Sequence, residues 1–140
     1  MENPDTLFER LREVTGITDI GYHKIEEGRL RPVTKTNTDI LGIEKWKNVH
    51  RENPVFIEDT PILLDIINTK KPAFVNNVAT DARSADAFFL FGIDSILVVP
   101  VKNQQTVEGI ICIASIGKHH EFSIEEVETC EKLITDHFNY

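Results

Sequence analysis

Apolar residues recur at three- and four-residue spacing at both ends of the chain: Leu7, Phe8, Leu11 and Val14 near the start, and Ile124, Val127, Ile134 and Phe138 near the end. That spacing places them on one helical face and predicts an amphipathic helix at each end. For the first helix, Asn3 is the expected N-cap, Pro4 the first helical residue, where no N–H is missed, and Gly16 the stop. For the last, Ser123 and Glu126 have the spacing of a capping box, and Phe122 and Val127 that of a hydrophobic staple.

Between the ends the pattern changes. Ile20 to Ile25, the Glu26-Glu27-Gly28 turn and Leu30 to Thr36 predict a β-hairpin. Residues 37–60 have no clean period and are expected to be a long functional or mobile loop. Asp59 or Thr60, followed by Pro61, starts a short helix through Leu63, Leu64, Ile66 and Ile67, which Lys70-Lys71-Pro72 stops. Ala73 to Val78 predicts a strand, and Asp81 or Ser84 caps a helical stretch through Phe88, Phe89 and Phe91 that ends at Gly92. Ser95 to Lys102 and Thr106 to Ile116, joined by Asn103-Gln104-Gln105, predict two long strands that are apolar on both faces, so the sheet needs a cover on each side. Pro100 cannot donate to a ladder and marks a bulge or an edge.

The chain has 140 residues, enough for one domain with a buried core and too few for two, so residues 1–140 are expected to form a single unit. A formal charge of −8, with Lys and Arg scattered, argues against nucleic acid as partner. The longest apolar runs are far shorter than a membrane span needs, and the first residues lack the features of a signal peptide, so a cytoplasmic location without membrane contact is expected. Cys112 and Cys130 have no CxxC or zinc-type spacing, and no disulfide, metal site or cofactor is expected.

Three stretches taken together resemble the GAF domain family over nearly the whole chain: Lys71-Pro72-Ala73-Phe74-Val75 with Asp81-Ala82-Arg83, then Gly92-Ile93-Asp94-Ser95 through Val101, then Glu108-Gly109-Ile110-Ile111 running to Phe122-Ser123-Ile124-Glu125-Glu126. The resemblance implies an α+β, profilin- or PAS-like fold. Its central antiparallel sheet would have five or six strands, with the N- and C-terminal helices on one face. A ligand pocket would lie on the other face, closed by the segment between the second and third strands. It implies a sensory role and not a particular chemistry.

Trp46, Phe56, Phe74, Phe88, Phe89 and Phe91 concentrate where that pocket would close and are candidate walls, although a core under a long loop would use the same residues. Asn76, Ser95 and Ser115 are candidate polar contacts, or else satisfy backbone groups. Arg83 is a candidate clamp for a carboxylate or phosphate, with Asp81 a helix cap beside it. Of the motif that cyclic-nucleotide-binding relatives carry, only Lys118, Phe122 and Glu126 survive, and a helix start already explains the last two. Cys112 in mid-strand and Cys130 in mid-helix stand where small buried hydrophobes do, not where a chromophore or catalytic thiol is expected. His119-His120, with His23, His50 or His137, completes no metal spacing and reads as solvated.

The expected function is therefore a small-metabolite sensor that relays occupancy through its terminal helices as a homodimer. Its output would be an effector domain in a longer parent chain or a separate protein, either a two-component sensor histidine kinase or a transcription regulator. A purely structural dimerisation module and a free methionine sulfoxide reductase-like enzyme are the alternatives.

Overall fold

A computed structural model describes residues 4–138, and Asn3 lies outside the described residues. In chain order the elements are helix α1 (Pro4–Thr15), strands β1 (Asp19–Glu26) and β2 (Arg29–Lys35), helix α2 (Ile43–Glu52), a 3-10 turn (Ile57–Asp59), helix α3 (Pro61–Thr69), strand β3 (Ala73–Val75), helix α4 (Asp86–Leu90), strands β4 (Ile93–Asn103) and β5 (Thr106–Ile116), and helix α5 (Ile124–His137). The strands form one five-stranded antiparallel sheet in the order β2-β1-β5-β4-β3. No helix among the described residues is long and apolar enough to cross a membrane.

Both faces of the sheet are covered. On one, α1 and α5 lie against each other and bury Leu7, Phe8, Leu11, Cys130 and Ile134 on Ile20, Leu97, Val99, Ile111 and Ile113. On the other, the elements between β2 and β4 bury Val55, Ile62, Leu63, Ile66 and Phe88 on Ile96, Val98, Ile110 and Ala114. Successive strand residues point to opposite faces, so β4 and β5 divide their apolar runs between two cores.

Local chemistry explains most boundaries. Gly16, at φ +73°, returns its N–H to the Arg12 carbonyl and ends α1. Glu27 and Gly28, both at positive φ, form the two-residue β1–β2 turn. Lys70, at φ +59°, ends α3. Ser123 Oγ accepts the Glu126 N–H at 3.1 Å, while Oε1 of Glu126 turns to Nε2 of His120 at 2.9 Å. Pro100 pairs with Ile110 of β5 just past Val98, where pairing with β3 stops, and the register shifts at Val101/Lys102. The missing donor therefore falls on the side where β4 has become an edge.

Three expectations need correction. Residues 37–60 hold α2, on which Ile43, Trp46, Val49 and His50 stand at three- and four-residue spacing; with a histidine in that stripe and charged residues around it, the period is easily overlooked. The third strand ends at Val75, because Asn76 and the residues after it turn away toward α4. Neither Asp81 nor Ser84 caps α4. Ala85 is its N-cap, Asp81 accepts the Arg83 N–H, and Ser84 Oγ donates to the Val78 carbonyl.

Gly109, in central strand β5, has no room for a side chain: a Cβ there would lie 2.6 Å from the His23 carbonyl oxygen and 2.9 Å from Cε1 of Tyr22. Gly109→Ala should therefore destabilise the fold by roughly 1–3 kcal/mol, read as a lower urea midpoint with an unchanged m-value.

Candidate ligand cavity

Between the sheet and its α2–α4 cover lies a cavity with about 60 Å³ open to the centres of water-sized atoms. Its floor comes from strands: Gly21 and His23 of β1, Ile96 and Val98 of β4, and Ile110, Cys112 and Ala114 of β5. Its cover comes from Trp46 and His50 of α2, Leu63 of α3, and Phe88 and Phe91 in and after α4. Gly21 makes the floor concave beside Trp46, since a Cβ there would stand 3.1 Å from the indole Cζ2.

Besides Thr60, two pairs of polar side chains interrupt this apolar wall. The first is an ion pair. Lys35 Nζ donates to Asp19 Oδ1 at 3.2 Å and to the carbonyls of Thr36 and Leu41, and Thr38 Oγ1 donates to Asp19 Oδ1 at 2.6 Å. Both side chains of the pair are buried, and burial lowers the Lys35 pKa although Asp19 opposes this. With three donors and three acceptors, the ammonium is saturated. It also ties the β2 end to the loop that leads into α2.

The second is a buried histidine pair. Nε2 of His23 lies 3.1 Å from Nε2 of His50. One nitrogen carries the proton and the other accepts it, because two N–H groups at this distance would repel. On the far side of His23, Nδ1 lies 3.9 Å from Cys112 Sγ, and a thiol can donate to it or accept from it. His50 Nδ1 is buried without a partner. Burial, then the neighbouring His50, holds the His23 pKa well below its usual value, and burial takes His50 down to about 4. Both rings are neutral at pH 7.

The sequence model of the GAF domain family matches residues 5–137. The chain belongs to the GAF domain family. Similar solved structures include the GAF domain/HD domain protein from Geobacter sulfurreducens, at 17% identity and TM-score 0.77 over 95% of this chain and 85% of that one. A domain of a putative two-component sensor histidine kinase protein from Sinorhizobium meliloti 1021 is 14% identical at TM-score 0.73, covering 96% of this chain and 86% of that one. The type II free methionine-R-sulfoxide reductase from Thermoplasma acidophilum is 20% identical at TM-score 0.66, covering 94% of this chain and 86% of that one. At these identities the likeness is one of fold. No curated protein matches the chain.

Within this GAF domain, Trp46, Phe88 and Phe91 come together in the cavity wall, and the other expected contacts stand elsewhere. Phe74 packs against Phe122 on the side of the terminal helices. Phe89 points outward at 57% exposure, and Phe56 is exposed too. Arg83 is held through Nε and Nη2 by both oxygens of Asp81 and by the Phe74 carbonyl. That contact holds the Asp81 pKa below the usual carboxylate range. The three small polar residues serve the framework. Ser95 Oγ donates to the Asn76 carbonyl and accepts the His120 N–H, Asn76 Oδ1 accepts the Phe122 N–H, and Ser115 Oγ donates to the Lys118 carbonyl.

Sequence reasoning gave His23 and His50 no role beyond a rejected metal site; both are buried, and His137 is buried as well. A signal was there: His23 alternates with Gly21 and Ile25 along β1, and His50 follows Trp46 by four residues on α2. Among the described residues no group of three or more His, Cys, Asp or Glu is placed to hold a metal ion.

Two predictions test this wall. Lys35→Met leaves the Asp19 carboxylate buried without its partner and should cost about 3–5 kcal/mol in chemical unfolding. The histidines set a pH dependence with a definite sign. Their folded pKa values lie below the unfolded value of 6.5, so the unfolded chain binds more protons between the two. Stability is full above pH 6.5 and falls as the pH drops toward 4, by on the order of 3 kcal/mol for His50 alone. Urea melts at successive pH values should show this slope, and His50→Leu should flatten it.

Proposed function

We propose that this GAF domain is a sensory module that binds a small molecule in the cavity and relays occupancy through α1 and α5. The observation that carries the reading is the cavity itself, an apolar concavity with a few placed polar groups, which is the usual make-up of a small-molecule site. The output belongs to an effector, in a longer parent chain or a separate cytoplasmic protein, of the sensor kinase or transcription-regulator kind.

A physical path for the relay supports it. Ile96 and Val98 line the cavity, whereas Leu97 and Val99, their neighbours in β4, meet the terminal helices. Asn76 and Ser95 fasten the turn after β3 and the start of β4 to the residues that lead into α5. Occupancy shifts the helices only if ligand favours one packing over another, and packed helices move by an ångström or two. In a homodimer the contact would use the outer faces of these helices, such as exposed Ile124, because Leu7, Phe8, Leu11 and Ile134 are committed to the intramolecular core.

The thiols favour a regulatory role over thiol catalysis. Burial pushes Cys112 up to about 12, and burial with the nearby Glu126 does the same to Cys130, so neither supplies a thiolate at neutral pH.

A thermal-shift screen against amino acids, oxo-acids, purines, cyclic nucleotides, haem and neutral aromatics tests the reading. A ligand at about 100 times its Kd should stabilise the protein by roughly 2.7 kcal/mol. Ala114→Leu, which fills the cavity from the β5 floor, should abolish that gain. A shift that survives Ala114→Leu unchanged places the site elsewhere, and no shift with any compound leaves the structural-module reading in its place.

A further inference from the structure

The charges in the cavity wall are already used. Among the described residues Asp19 and Lys35 are its only charged side chains, and each is bonded to the other and to neighbouring groups. A carboxylate or phosphate entering the cavity would need an ammonium whose donors are all taken, and a cationic ligand would have to share a carboxylate whose charge Lys35 already balances. Burying a charge without a partner costs several kcal/mol. What the wall still offers is apolar and aromatic surface from Trp46, Leu63, Phe88, Phe91, Ile96 and Ile110.

One buried polar atom in that wall has no partner. Thr60 Oγ1 donates to the Phe56 carbonyl, and His23 is bonded at both nitrogens. His50 Nδ1 is left over, in a side chain more than nine-tenths buried. Buried polar atoms are rarely left unpaired, so a partner is due at this ring. The histidine pair also leaves the polarity of that partner open. If His23 donates across the pair, His50 Nδ1 carries its ring's proton; if His50 donates, Nδ1 is an acceptor. Cys112 suits His23 in either case.

We propose that the cavity takes a small uncharged molecule with a ring-sized apolar body and one hydrogen-bonding group, which the His23–His50 pair holds through His50. The proposal rests on the reading of the cavity as a ligand site and specifies its chemistry. The open volume is smaller than the roughly 150 Å³ apolar cavity that takes benzene, so a single small ring enters only as the wall side chains give way, and a tetrapyrrole is far too large.

The test uses four probes of one ring size: phenol, toluene, benzoate and benzylammonium. Trp46 is the chain's single tryptophan and stands in the wall, so its emission reports occupancy directly. Phenol should change that emission saturably. Toluene should do so with affinity roughly tenfold weaker, the worth of one hydrogen bond, and the two ions should have no effect over the same range. His50→Leu should bring phenol and toluene to equal affinity. In case that variant fails to fold, the imidazole ¹⁵N resonances of His50 in the unsubstituted protein should move with phenol and not with toluene.

Benzoate or benzylammonium binding as tightly as phenol at Trp46 overturns the uncharged class and leaves the sensory reading intact. Silence of Trp46 toward all four probes also overturns it. The sensory reading then survives only if the wider screen yields a ligand whose stabilisation Ala114→Leu removes. Phenol binding that leaves the His50 resonances unmoved overturns the assigned contact.

Discussion

The fold depends on a sheet that is dry on both sides. β4 and β5 carry continuous apolar runs, and alternation along them sends Leu97, Val99, Ile111 and Ile113 to the terminal helices and Ile96, Val98, Ile110 and Ala114 to the opposite cover. A slip of one residue in either strand would exchange the two sets, taking Ala114 from the cavity floor and putting a larger side chain in its place. The register of the β4–β5 ladder is thus what keeps the cavity open. Gly109 sits within that ladder, between Val101 and Lys24.

The two covers are built differently. The helical one is a continuous apolar layer in which α1 and α5 support each other. The cavity side is assembled from short pieces, and polar contacts align them. Lys35 binds the Leu41 carbonyl ahead of α2, Arg83 binds the Phe74 carbonyl ahead of α4, and Asn76 binds the Phe122 N–H ahead of α5. Each of these side chains is engaged in holding backbone, and Arg83 and Asn76 stand outside the cavity wall.

That division also decides what could be read from the sequence. Features fixed by local chemistry were legible: both terminal helices, the Glu27-Gly28 turn, the stop at Lys70 and the long β4–β5 hairpin all rest on caps, turns and periodicity within a few residues. Family motifs added the arrangement of sheet and helices. The cavity was legible only in Trp46, Phe88 and Phe91, because an aromatic side chain is equally at home in a wall, a core or a surface, and tertiary placement separates Phe88 from Phe89 next to it. The histidine pair joins residues 27 apart in sequence and the ion pair residues 16 apart, so no local pattern announces either.

Helix α2 is lightly anchored for its length. Its ten residues bury only Trp46 and His50, one indole seated over Gly21 and one ring hydrogen-bonded to His23, whereas α3 buries three aliphatic side chains. Segments with so little apolar anchorage open at a small fraction of the global unfolding free energy. The backbone amides of α2 therefore exchange with solvent far sooner than those of β5 beneath them. The cavity is thus walled on one side by a central strand paired along both edges and on the other by a helix held at two side chains.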